Sequence, residues 1–171
     1  VYKYPESITV DFDGYLPRIE SYALSSSKEI TKGVMVVGIN TEKEKQFTEL
    51  DLRVSEGKYL EESDKKVLLG AGLAKYLKLR VGDTIVLIGQ GYHGASAAGK
   101  YEISGLVKFG SPELSKQIVF LPMKEAQWFF NSPDNCTSLI LQFKNGDKAL
   151  EYSKNLQSQL GEEYEVMDWN T

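Results

Sequence analysis

A chain of 171 residues with 42% apolar and 26% charged side chains can bury a real core, as one domain or two small interlocked ones, and lacks the composition of a disordered chain. Its net charge is −4 with the two signs interspersed, and the missing lysine or arginine block argues against a nucleic-acid partner. A single cysteine, Cys136, excludes an intrachain disulfide, and a single histidine, His93, excludes a multi-histidine metal site.

In chain order, residues 1–27 alternate only weakly (Ile8, Val10, Phe12), and Pro17 marks a strand start or an edge. The opening VYKYPES has neither the charged lead nor the apolar centre of a signal peptide, as expected of a mature domain or a piece of a longer chain. No apolar run approaches the ~18 residues that would span a bilayer. GVMVVGI (33–39) reads as a buried strand. Thr41 followed by Glu44 is a capping-box pattern that starts a short helix carrying Phe47 and Leu50 inward.

The stretch from Gly57 to Gly89 organises the rest. It predicts a turn, a strand over Val67 to Leu69 and a small helix whose apolar stripe is Leu69, Leu73, Ala74 and Leu77. A Gly82-Asp83 reversal and a strand from Thr84 to Ile88 follow. Gly89 to Lys100 reads as the flexible tip of a hairpin whose return strand is Tyr101 to Lys108. Further on, Gln117 to Leu121 is a strand, and Pro122 opens a helix with Met123, Ala126, Gln127 and Phe130 inward. Leu139 to Lys144 is a strand, Asp147 caps a helix through Leu160 that Gly161 ends, and Tyr164 to Trp169 is a final strand. The closing β-α-β implies an α+β layer, and the turn-rich middle implies a β-rich lobe set into it.

Two phosphate-binding patterns overlap at the hairpin. Gly89 to Gly94 fits G-x-G-x-x-G, and Gly94 to Lys100 fits most of G-x-x-x-x-G-K-[ST]. Both need a helix that begins at the loop and aims its amides at phosphate, whereas KYEISGLVKF has strand chemistry, and Tyr101 stands where a magnesium-binding hydroxyl belongs. His93 lacks the G-x-S-x-G elbow of a hydrolase triad. Glu61, Glu62 and Asp64 lack EF-hand spacing and read as a solvated turn rather than a cation site. Trp128, Phe129 and Phe130 read as core and rim packing, Cys136 as a small buried hydrophobe, and Asn135-Cys136-Thr137 as a formal glycosylation sequon. No catalytic constellation, cofactor site or metal site emerges, which favours an interaction or coupling domain over an enzyme.

Four blocks in order, PRIESYALSSS, GVMVVGINTEKE, LRVSEGKYLEESDKKVLLGAGLAKYLKLRVGDTIVL and YEISGLVKFGSPELSKQIVFLPMKEAQWFF, resemble the extracytoplasmic (periplasmic) core domain of MacB/LolC/LolE/FtsX-like, type VII ABC-transporter permeases. The order is nearest the lipoprotein-releasing branch, and the resemblance runs from Leu16 to Phe130. It implies a porter-like α+β subdomain (1–50 and 121–171) with an inserted sabre-like β-rich subdomain (51–120). It also implies a non-catalytic role: a separate cytoplasmic ATPase subunit, a tether to the inner membrane with this domain on its periplasmic side, a dimer in the full assembly, and a periplasmic carrier or adaptor as partner. The carrier-gripping hairpin of LolC corresponds to Gly89–Lys100, which is shorter here and lacks its prolines; Tyr92 and His93 are the candidate contacts. Two alternatives are an FtsX-like regulator of cell-wall hydrolases and, because LAKYLKLRVGDTIVL also resembles it, a barrel module of a molybdopterin-type oxidoreductase. The latter expects a closed barrel with a deep pocket around Gly89 to Gly94.

Overall fold

The computed structural model describes residues 12–94 and 96–168. β1 (Gly14–Ser27) turns at Lys28, φ 53°, into its antiparallel partner β2 (Ile30–Ile39). β2 runs parallel to β7 (Ile118–Pro122), which pairs with β4 (Lys66–Gly70). β4 is parallel to β6 (Ser96–Val107), and β6 is antiparallel to β5 (Thr84–Gln90). β5 then pairs with Ala23–Ser26 of β1, so the six strands return to where they began. Short β3 (Val54–Gly57) adds to β6, and β8 (Ser138–Gln142) adds to the first residues of β1. The sheet draws strands from 1–50 and 121–171 and from 51–120 alike, and the 120/121 boundary falls inside β7.

Side-chain parity sorts the sheet into two cores. Val36, Leu69, Ile85, Leu87, Ile103 and Leu121 are among the side chains that fill the ring, all fully buried. The opposite parity of β2, β7 and β4 (Val37, Ile39, Leu68, Phe120) packs outside the ring beneath Leu50 and Leu60. Strands buried on both faces read as unbroken apolar runs, which is why GVMVVGI, KVLLG and IVFL show no alternation. Five helices among the described residues complete the α+β class: α1 (Thr41–Thr48), α2 (Ala71–Leu77), α3 (Pro112–Ser115), α4 (Met123–Phe129) and α5 (Ala149–Leu160). Leu73 and Leu77 of α2 and Ala126 and Phe129 of α4 belong to the ring core. Tyr101 reaches the same core, and burial and the Glu125 carboxylate that accepts its hydroxyl at 3.0 Å push its phenol up.

Gly38 marks the closest approach of α4 to β2. A Cβ there would lie 2.4 Å from both the Ala126 Cβ and the Ile19 Cγ2, neither of which can swing away. Gly38→Ala is therefore expected to cost about 1–3 kcal/mol and to lower Tm by roughly 2–12 °C in thermal denaturation.

Several local expectations are corrected. α1 is capped by Asn40, whose side chain accepts from the Lys43 amide at 2.9 Å; Glu44 turns inward to Arg18 and takes no part in a capping box. Asp147 lies in a 3-10 turn (Gly146–Lys148) ahead of α5, so Lys148 occupies the cap position. Pro122 ends β7, and α4 begins one residue later. Leu69, expected on the stripe of α2, stays in β4, and α2 begins at Ala71. Pro17 lies inside β1, though only its β8 side is paired, because β2 begins its pairing at Arg18. Residues 164–168 form no strand; the Gln157 side chain holds them instead. Its Nε2 donates to the Gly161 and Tyr164 carbonyls at 2.8 Å, and its Oε1 accepts from the Val166 amide at 2.9 Å. Ile8, Val10 and Trp169 lie outside the described residues.

Candidate functional site

The hairpin of β5 and β6 is longer and its loop shorter than the glycine content predicts. The ladder continues through Gly89↔Ala97 to Gln90↔Ser96, and Tyr92–Gly94 make one 3-10 turn closed by the Gly94 amide on the Gly91 carbonyl at 3.1 Å. Gly94 has φ +77°, a conformation that favours glycine. Nor is the tip a loose end: the Tyr92 amide donates to the Phe130 carbonyl at 2.7 Å, which ties it to the C-terminus of α4. Beyond the loop the chain enters β6, not a helix, so the amide cradle that both phosphate patterns require is not built here.

A groove of about 560 Å³ runs beside this tip, between Glu20–Tyr22 of β1, the tip residues Gln90, Gly91, Tyr92 and Gly94, and a wall made by Phe130, Ser132 and Thr137. The wall is fixed by hydrogen bonds. Thr137 Oγ1 accepts from the Glu20 amide at 2.7 Å, the Thr137 amide donates to the Arg18 carbonyl at 2.8 Å, and Gln127 Nε2 donates to the Asn135 carbonyl at 2.9 Å. At the rim stand Tyr92, 43% exposed, and Tyr22, 74% exposed. From Tyr22 an apolar stripe continues along the outer wall of the ring, where Leu24 and Ile88 lie opposite each other across β1 and β5 and are both half exposed. Tyr92, on the hairpin tip, borders the groove. The side chain of His93 lies outside the described groups. Tyr22, Leu24 and Ile88 are not singled out by the sequence, because apolar residues stand on both faces of β1 and β5 and alternation cannot say which face meets solvent.

The remaining candidates have structural work. Glu62 Oε2 accepts from the Thr41 amide (3.1 Å) and hydroxyl (3.2 Å) at the start of α1, and Asp64 Oδ2 accepts from the Glu61 amide at 2.9 Å. Phe129 and Phe130 are core, whereas Trp128 is 67% exposed on α4. The ring of strands does close, as the oxidoreductase alternative expects, but its interior is filled with side chains and the groove at Gly91–Gly94 lies against its outer wall. A second, larger cavity of about 1000 Å³ lies between β8, α5 and residues 164–168, with Tyr15 and Asp168 both on its border. Cys136 lines it half-buried, and burial pushes its thiol up. With less thiolate at a given pH, the native chain should be alkylated by iodoacetamide at pH 8 several-fold more slowly than the urea-unfolded chain.

Comparison with known proteins gives a consistent picture. The family described as the MacB-like periplasmic core domain matches residues 4–159. Two proteins named lipoprotein-releasing system transmembrane protein LolC, from Xylella fastidiosa strains 9a5c and Temecula1, are each 28% identical over 165 residues. The match takes in 91% of this chain but 39% of theirs, so the chain spans about two fifths of those relatives' length. Among solved structures, the extracellular domain of the noncanonic ABC-type transporter YknZ from Gram-positive bacteria superposes with a TM-score of 0.62 at 15% identity, covering 92% of this chain and 82% of that one. The periplasmic region of MacB from Actinobacillus actinomycetemcomitans does so with a TM-score of 0.62 at 13% identity, over 95% and 74%. At such identities the likeness shows a shared fold. No helix among the described residues is long and apolar enough to cross a membrane.

Proposed function

Because this chain belongs to the MacB-like periplasmic core domain family, we propose that it is the extracytoplasmic part of an ABC-transporter permease, one that relays the work of a cytoplasmic ATPase to cargo or to a partner protein outside the membrane. The family match over residues 4–159 carries this reading. Tyr15 and Asp168, near the two limits of the described residues, border a single cavity, which is compatible with both ends leaving the domain on one side. The groove beside Tyr92 supplies the docking surface, with aromatic rims over a hydrogen-bonded wall, the kind of place where interface energy concentrates. Its partner is an extracytoplasmic carrier or adaptor; Tyr92 and His93 are its contacts on the tip and Tyr22 its contact on β1. In the assembly two copies of the permease stand side by side.

The test uses the full-length permease in its own cells. A cysteine placed at exposed Tyr76 (Tyr76→Cys) is expected to react with a membrane-impermeant maleimide in intact spheroplasts. Reaction only after lysis would overturn the assignment. Magnesium-ATP is expected to leave the thermal midpoint of this chain unchanged, since a nucleotide that bound the folded state would raise it.

A further inference from the structure

β1 changes partners along one edge and stands bare between them. On that edge it pairs with β8 through Arg18 and with β5 from Ala23 onward, so among the described residues no strand lies against 19–22. On the opposite edge β2 continues unbroken from Arg18 to Ser27. The groove lies at the break: Ile19, Glu20, Ser21 and Tyr22 border it, together with Gln90 at the end of β5 and Thr137 ahead of β8. Successive residues of a strand send their backbone groups to opposite edges. The Arg18 carbonyl and the Glu20 amide both bond Thr137, at 2.8 and 2.7 Å, so the Glu20 carbonyl and the Tyr22 amide point to that same side. β5 does not meet the Tyr22 amide, because its ladder with β1 starts at Ala23↔Gly89. A strand edge that presents N–H and C=O groups in this way is a template for another chain.

We propose that this break seats an extended peptide segment of the extracytoplasmic partner, laid against residues 19–22 as a short added strand, with a basic side chain beside Glu20 and an apolar one beside Tyr22. The inference rests on the docking reading given above and supplies the partner's chemistry. The Glu20 carbonyl accepts from one peptide N–H, and the Tyr22 amide donates to a peptide carbonyl. Glu20 and Tyr22 are two apart on one strand and share a face, so the two recognised side chains are also two apart. Glu20 is the one charged residue among the described residues that border the groove. Its carboxylate, 34% exposed, has Arg18 at 3.9 Å, a separation that leaves room for a second cation. Beyond Tyr22 the half-exposed pair Leu24 and Ile88 extends the apolar contact along the wall. A helix keeps its backbone groups within its own turns and cannot meet the Tyr22 amide. Four strand residues span about 13 Å, far short of the roughly 800 Å² per partner that a stable dimer of this chain would need. A short extended segment is the occupant that fits.

The experiment pans phage-displayed random decapeptides against the immobilised 171-residue chain and studies the selected peptides as synthetic compounds. Lysine or arginine two positions from an aliphatic or aromatic residue is expected among them. Each peptide should slow exchange of the Tyr22 amide by about tenfold or more, and N-methylation of its backbone should abolish binding. Glu20→Gln should weaken binding by about threefold and leave unchanged the binding of the same peptide with norleucine in place of its basic residue. Selection of no peptide, unchanged exchange at Tyr22, peptides that bind as helices, or indifference to N-methylation would overturn the proposal. None of these readouts involves a membrane. Failure here with extracytoplasmic labelling at Tyr76→Cys would sink the peptide seat alone, whereas labelling only after lysis would sink the permease reading.

Discussion

Glu44→Ala is expected to destabilise the domain by about 3–5 kcal/mol, a fall of roughly 6–20 °C in Tm. The Glu44 side chain is 2% exposed, and its carboxylate receives both Arg18 Nε, at 3.1 Å, and an Arg18 terminal nitrogen, in a two-point pair. Thr48 Oγ1 also donates to it, at 2.9 Å. The pair joins α1 to β1 near the residue where β1 passes from β8 to β2. Removing the carboxylate leaves a guanidinium that is 22% exposed and, among the described residues, has only Glu20, 3.9 Å away, as a charged partner. Removing both charges should cost much less. An Arg18→Met, Glu44→Leu double variant of similar volume is expected to recover most of the loss, because desolvation of the pair offsets much of its attraction. Urea denaturation of Arg18→Met alone, Glu44→Leu alone and the double variant closes the cycle. A double variant as unstable as the sum of the singles would mean that packing, and not the ion pair, sets the cost.

The same contact shows what could and could not be seen in the sequence. Thr41 and Glu44 have the spacing of a capping box, but a buried carboxylate engaged by Arg18 is not available to cap, and Asn40 does so instead. Local signals that do not depend on distant partners were legible: the strand, helix and Gly82-Asp83 turn between Lys66 and Gln90, the hairpin, and the helix stop at Gly161, which has φ +76°. At the turn, Gly82 takes φ +89° and Asp83 Oδ2 accepts from the Arg80 amide at 2.7 Å, as glycine followed by aspartate predicts. The length of β1 was not legible, since it trades partners twice and buries different faces along its course. Closure of the ring was not legible either. It depends on β1 meeting β5 and on two parallel pairings, all of them remote in sequence. The site follows the same division. Tyr92 announces itself on a glycine-rich tip, but the groove exists only because Phe130, Thr137 and Tyr22 arrive from three other parts of the chain.

Tyr22→Ala in the full-length permease is expected to weaken partner docking by about 2 kcal/mol or more if Tyr22 is an interface anchor, a loss on the order of 30-fold in affinity. Growth supported by the permease should fall accordingly when it is the sole copy in the cell. Tyr92→Ala should act in the same direction. Folding should not change, because Tyr22 is 74% exposed and a surface truncation shifts stability by no more than about 0.5 kcal/mol. The control is Trp128→Ala. Trp128 is 67% exposed and as large an apolar target as any on the surface, but it is not among the residues that border the groove. Loss of function in the two tyrosine variants with full function in the tryptophan variant locates the contact at the hairpin groove. Loss confined to Trp128→Ala would move the docking surface to α4. Wild-type growth in all three would leave the aromatic rim without a docking role and place the relay in the domain's attachment to the membrane.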